Sequence, residues 1–158
     1  MNFEEASNLL LMCSSFDRFK TFLEIKDLLN DKDYWKILSE AYTGSDNLYH
    51  LKEEVKEAFL EDRPYQKHLM NKEDLKVYKS LPERLIIYRG MTIEELQSKN
   101  FGVSWTLSKE RAEFFAYTYG RNFSTDNKLK TVHQLEVSKV EILAYFGDRN
   151  EQEVIYIS

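Results

Sequence analysis

Along the first 80 residues the apolar positions recur with the period of a helix. Leu48, Leu51, Val55, Ala58 and Phe59 fall on one stripe, and Ser45 or Asp46 stands where a helix cap is needed. The stretches Glu4–Cys13 and Phe16–Leu29 and the run DKDYWKILSEAY (Asp31–Tyr42) read the same way. Pro64 interrupts the pattern. A short helix follows from an Asn71 cap, with Asp74 placed to answer it, and Pro82 closes the helical half.

Beyond Pro82 the period shortens. RLIIYRG (Arg84–Gly90) is a β-rich run ending in a glycine, which predicts a strand followed by a turn. TIEEL predicts a helix start, with Thr92 as cap and Glu95 as its reciprocal partner. FGVSWTL (Phe101–Leu107) reads as a strand. Ser108 caps the next helix, on which Ala112, Phe115, Ala116 and Tyr119 share a face. GRNFSTDNK (Gly120–Lys128) is a polar loop, and KTVHQLEVS, EILAYF and EVIYIS supply the remaining strands. Helices first and then a mostly antiparallel sheet with one inserted helix predict an α+β fold. The expected organisation is a helical segment, 1–80, packed on a compact β core, 81–158, in one integrated domain.

Composition narrows the chemistry. Twenty-two Lys and Arg against 27 Asp and Glu leave a net charge of −5 over 158 residues, which argues against a dedicated double-stranded nucleic-acid binder but leaves room for a small basic pocket. A single cysteine, Cys13, rules out an internal disulfide and a cysteine zinc site, and three scattered histidines do not predict a metal cluster. The apolar run before Cys13 is far too short to span a membrane, and its acidic flank and Met12 do not fit a lipidation signal. Cys13 is expected to be a buried helix residue, and the protein cytoplasmic, with no metal and no membrane partner.

Three features remain. Arg89 is the first polar residue after four apolar ones and precedes Gly90; an arginine there suits bidentate capture of phosphate. In SWT, alternation puts Ser104 and Thr106 on one face and Trp105 on the other. In EQE, read as an extended chain, Glu151 and Glu153 share a face about 7 Å apart, an unfavourable place for two like charges. Taken singly, each has an ordinary structural explanation.

In this order, YRG, SWT and EQE resemble the R-S-E class of mono-ADP-ribosyltransferases, which carry an Arg on the first core strand, a Ser-x-Ser/Thr strand and a late Glu-x-Glu. SKERAEFFA looks like the helix that follows the serine strand in that family, and the wider pattern is similar to small proteins of bacteria and their phages. The resemblance covers Arg84 to Ser158. It implies an ADP-ribosyltransferase-like β core and an enzyme that cleaves the bond between nicotinamide and ribose in NAD. ADP-ribose would then pass to a macromolecular acceptor, such as an arginine side chain of a protein, with nucleic acid the less favoured acceptor. By the same resemblance Glu153 is the catalytic carboxylate that accepts a hydrogen bond from the ribose, and Glu151 orients or deprotonates the acceptor. Arg89, beside Gly90, would hold the NAD phosphates. Ser104 would buttress Glu153, and Thr106 completes the motif. An aromatic among Tyr117, Tyr119 and Phe123 would stack on nicotinamide, with Arg121 a second phosphate contact. Simple NAD hydrolysis, a non-catalytic binding module of the same shape, and a helical interaction protein are the competing readings. A metal-dependent nuclease is disfavoured because the strand carrying the glutamates has no lysine.

Overall fold

A computed structural model describes residues 1–46, 48–119 and 129–158. They form two compact units, Met1–Glu73 and Asp74–Ser158.

The first unit is helical: α1 (Phe3–Leu11), α2 (Arg18–Ile25), α3 (Asp31–Thr43) and α4 (Lys52–Phe59). Asn2 and Asn30 cap α1 and α3 by accepting from Glu5 N at 2.8 Å and Asp33 N at 2.9 Å. The stripe read from the sequence faces inward, with Val55, Ala58 and Phe59 buried beside Phe19, Phe22, Tyr34 and Trp35. Where these aromatics carry polar atoms the backbone answers them: Tyr34 OH donates to Ala58 O at 2.7 Å and Trp35 Nε1 to Pro64 O at 2.8 Å. The expected cap of α4 is not formed. A 3₁₀ turn at Tyr49–Leu51 precedes that helix, which has no side-chain cap, and the Ser45 hydroxyl donates back to Ala41 O. Cys13 is not a buried helix residue. The helix ends at Leu11, leaving the thiol half-buried, 3.2 Å from Thr21 Oγ1.

The second unit begins inside α5 (Lys72–Ser80), which is tied to the sheet by three bonds. Asp74 Oδ1 accepts from Gly147 N at 3.1 Å, Tyr78 OH donates to Ile142 O at 3.1 Å, and Lys139 Nζ donates to Lys79 O at 2.6 Å. Five strands follow: β1 (Arg84–Thr92), β2 (Ser104–Thr106), β3 (Lys130–Ser138), β4 (Ile142–Phe146) and β5 (Glu153–Tyr156). They lie in the order β3-β1-β2-β5-β4, every pair antiparallel. Helices α6 (Ile93–Ser98) and α7 (Lys109–Glu113) flank β2, and a π-helical turn, Phe114–Tyr119, continues α7. The architecture is α+β.

Two local expectations change. Gly90 makes no turn, because β1 continues through it to Thr92. Its lack of a side chain serves packing: a Cβ there would stand 2.6 Å from Ala112 O and 3.1 Å from Ala116 Cβ, so only glycine lets α7 approach so closely. Nor do Glu151 and Glu153 lie on one extended run. Glu151 ends a tight turn and Gln152 is left-handed at φ 48°, so β5 starts only at Glu153.

Candidate active site

Strand register sorts the expected site residues by face. Residues directly opposite each other in an antiparallel pair point the same way. Tyr88 lies opposite Thr106, and Thr106 opposite Glu153, so Tyr88, Gly90, Ser104, Thr106 and Glu153 share one face. Arg89 and Trp105, one residue out of step, belong to the other.

On the first face Ser104 Oγ donates to Glu153 Oε2 at 2.6 Å, the diagonal reach from β2 to β5. This is the buttress expected of Ser104. Thr106 is buried and acts on the turn instead. Its hydroxyl donates to Glu151 O at 2.8 Å and accepts from Ser108 N at 3.1 Å, so one oxygen pins both the glutamate turn and the entry to α7. Leu107 N adds a bond to Gln152 O at 3.1 Å. These contacts hold a strained segment, since Arg149, Asn150 and Gln152 all have positive φ (59°, 58° and 48°) without a glycine among them. Each such residue costs about 1–3 kcal/mol, and persists only where its surroundings enforce it.

Ser108 caps α7 as expected, accepting from Arg111 N at 3.2 Å. The helix brings Arg111 to Glu151, with Nη2 4.0 Å from Oε1. The sequence reading did not single out Arg111; its spacing of three from the Ser108 cap was the only available signal. The guanidinium sits over the rings of Phe114 and Phe115, at 5.5 and 5.8 Å. Its Nε is buried without a hydrogen-bond partner among the described residues.

On the opposite face Arg89 is occupied. Nε and Nη2 make a bidentate pair with Glu95, at 2.7 and 3.1 Å, and Nη1 donates to Ser104 O at 2.9 Å. Glu95, 6% exposed, also accepts from Gly102 N at 3.1 Å. A Cβ at Gly102 would lie 2.5 Å from Arg89 Nη2, so the pair closes over a glycine that leaves it room. Thr92 caps α6 by accepting from Glu95 N at 3.1 Å, while the Glu95 carboxylate turns to Arg89. Trp105 completes this side, donating to Gly102 O at 3.1 Å and meeting Tyr156 edge-on at 5.8 Å. Burial pushes the Tyr156 phenol pKa upward.

A cleft of about 200 Å³ opens beside β2. Gly90, Ser104, Thr106, Glu151 and Glu153 line it, with Arg89 and Trp105 reaching it from the other face, and Tyr88, Ala112 and Phe115 give it an apolar wall. The aromatics at the cleft are thus Tyr88, Trp105 and Phe115. None of the three was among the expected stacking residues; the spacing of Phe115 from Ala112 also fits a core position. Tyr117 is 45% exposed and is not among the lining residues. Tyr119 ends the π-helical turn, its side chain lying outside the described residues, as do Arg121 and Phe123.

Chemically, the cleft offers two carboxylates of different character. Glu153 is fixed by a hydroxyl at the foot of an aromatic wall, whereas Glu151 stands on a strained turn beside a cation. Comparison with protein-family models, with curated proteins and with solved structures gives no match for this chain. Among the described residues no helix is long and apolar enough to cross a membrane, and no three His, Cys, Asp or Glu converge as metal ligands.

Proposed function

We propose that the protein is a mono-ADP-ribosyltransferase, which cleaves the bond between nicotinamide and ribose in NAD and transfers ADP-ribose to a macromolecular acceptor. The observation that carries this reading is the 2.6 Å bond from Ser104 Oγ to Glu153 Oε2, with Glu151 on the same cleft. Nicotinamide leaves through a transition state resembling an oxocarbenium ion, and positive charge grows on the ribose. A carboxylate already fixed beside the ribose 2′-hydroxyl binds that charge more tightly than it binds the ground state, which lowers the barrier. Glu153 has this role, and Ser104 keeps its rotamer from drifting. Glu151 faces the incoming nucleophile.

The cleft, at about 200 Å³, is smaller than the roughly 300–1,000 Å³ usual for whole small-molecule sites. It suits the nicotinamide and its ribose, with Tyr88 or Phe115 against the ring. Arg89 supports the site from behind: Glu95 balances its charge, and its bond to Ser104 O sets the strand that carries the buttress.

The test is release of nicotinamide from NAD by the purified protein, alone and with a bacterial lysate, with Glu153→Gln as control. Release and ADP-ribose labelling of a protein, both reduced on the order of 100-fold or more in the variant, support a transferase. Binding of NAD without release from the wild type would sink the catalytic reading and leave a binding module.

A further inference from the structure

Arg111 has an unusual position for a cation on a short helix. It stands beside Glu151, the carboxylate assigned to the acceptor, at 4.0 Å between Nη2 and Oε1. That is too long for a direct hydrogen bond. It is a separation that one small polar atom can bridge, since an oxygen about 2.8 Å from both groups subtends roughly a right angle between them. Nor is the guanidinium loosely placed. Phe114 and Phe115 lie against it, its Nε is buried, and its backbone is fixed by the Ser108 cap. On the other side, Thr106 holds the Glu151 carbonyl at 2.8 Å. Both walls of the gap are therefore anchored to the end of β2.

From this gap we infer that the acceptor is a hydroxyl, a serine or threonine side chain or water, and that Arg111 excludes the arginine acceptor which the sequence resemblance implies. The inference rests on the ADP-ribosyl-transfer reading. A hydroxyl fits both walls, because Arg111 donates to its oxygen while Glu151 accepts its hydrogen. A guanidinium has no acceptor for Arg111 and brings a second positive charge against it, a repulsive element that works against that partner. In the transfer, the bond from C1′ to the nicotinamide nitrogen breaks and its electron pair leaves with nicotinamide. The hydroxyl oxygen forms the new bond to C1′, and its proton passes to the Glu151 carboxylate and on to water. Glu153 is unchanged at the end. Arg111 is the specificity-determining residue.

The experiment supplies NAD with agmatine, a free guanidine, and methanol, a free hydroxyl, in competition. Products are separated by mass spectrometry as ADP-ribose, its O-methyl glycoside and the agmatine adduct. Wild type is expected to give almost only the two oxygen-linked products. Arg111→Met keeps the apolar stem over Phe114 and Phe115 but removes the charge, and should raise the agmatine fraction about tenfold or more. Arg111→Lys retains a cation and should keep the oxygen preference. An agmatine adduct as the main product of the wild type overturns the inference, even if Arg111→Met does not fold. So does an unchanged product ratio in a folded Arg111→Met. If no protein of the set releases nicotinamide, the transferase reading falls and the inference falls with it. Release with an unaltered ratio removes the inference alone.

Discussion

The two faces of the sheet around β1, β2 and β5 alternate along the same strands, yet their chemistry is opposite. On one, a buried Arg89–Glu95 pair, an indole and a glycine close together, and the polar groups meet partners within the protein. On the other, Gly90 admits a helix, and Ser104, Thr106 and Glu153 border an open cleft. The bond from Arg89 Nη1 to the Ser104 carbonyl links the faces, since that carbonyl lies in the plane of the sheet and so is reachable from either side. On the proposed reading, an arginine next to the serine strand can therefore serve the site without touching NAD. On that reading its contribution is measured in the stability and geometry of β2, whereas the phosphate-holding role that the resemblance implies would show as affinity for NAD.

The sharpest way to break this contrast is to remove Glu95. Glu95→Ala leaves a largely buried guanidinium without its counter-ion and should cost about 3 kcal/mol in urea denaturation. Replacing both partners, Glu95→Ala with Arg89→Met, should recover most of that loss, since the cost lies in the orphaned charge. Arg89→Lys separates the two roles directly. A scaffolding arginine predicts lower stability and lower kcat with KM for NAD nearly unchanged, because lysine cannot reproduce the bidentate grip. A phosphate-holding arginine predicts a raised KM and a stability close to wild type, and that outcome would make Arg89 a ligand of NAD.

The second test concerns the face that must stay open to α7. Gly90→Ala places a methyl 2.6 Å from a backbone oxygen of α7, which cannot rotate away as a side-chain tip can. Overpacking of this kind costs about 1–3 kcal/mol, so a drop of several degrees in Tm is expected. Arg111 and Phe115 ride on the same helix, so nicotinamide release should fall by more than stability alone explains.

Periodicity foretold much of this frame and missed specific joints. The inward stripe of Val55, Ala58 and Phe59 and the Ser108 cap are local patterns that periodicity suffices to reveal, whereas the Ser104–Glu153 bond was expected from the family resemblance and not from the pattern. The Arg89 side was legible in principle, because Arg89 stands one residue from Tyr88 while Ser104 stands two from Thr106, the pair across β1 and β2, so the two fall on opposite faces. That parity acquires meaning only once the register, Tyr88 against Thr106, is known, and register depends on contacts distant in sequence. The left-handed turn before Glu153 had no glycine to announce it. Thr106 and Leu107 hold it through tertiary bonds to Glu151 O and Gln152 O. Arg111 looked like one more charge on a polar helix, since its value comes from Glu151, 40 residues on.

The smallest effect tests how rigid the reactive face must be. Ser104→Ala removes the donor to Glu153 Oε2 without removing the carboxylate. A hydrogen bond to a charged group contributes about 1.5–3 kcal/mol, but only the part that differs between bound NAD and the transition state enters kcat. Ser104 makes its bond in the protein without substrate, so most of that energy is common to both states. What is lost is orientation, and a fall of roughly tenfold in kcat, about 1.4 kcal/mol, is expected with little change in KM. The decisive check is the double variant. If Ser104 acts through Glu153, then Ser104→Ala added to Glu153→Gln should lower the residual rate no further, a coupling equal to the whole single effect. Additive losses would mean that the hydroxyl touches substrate on its own account, and the buttress would be the wrong description of it.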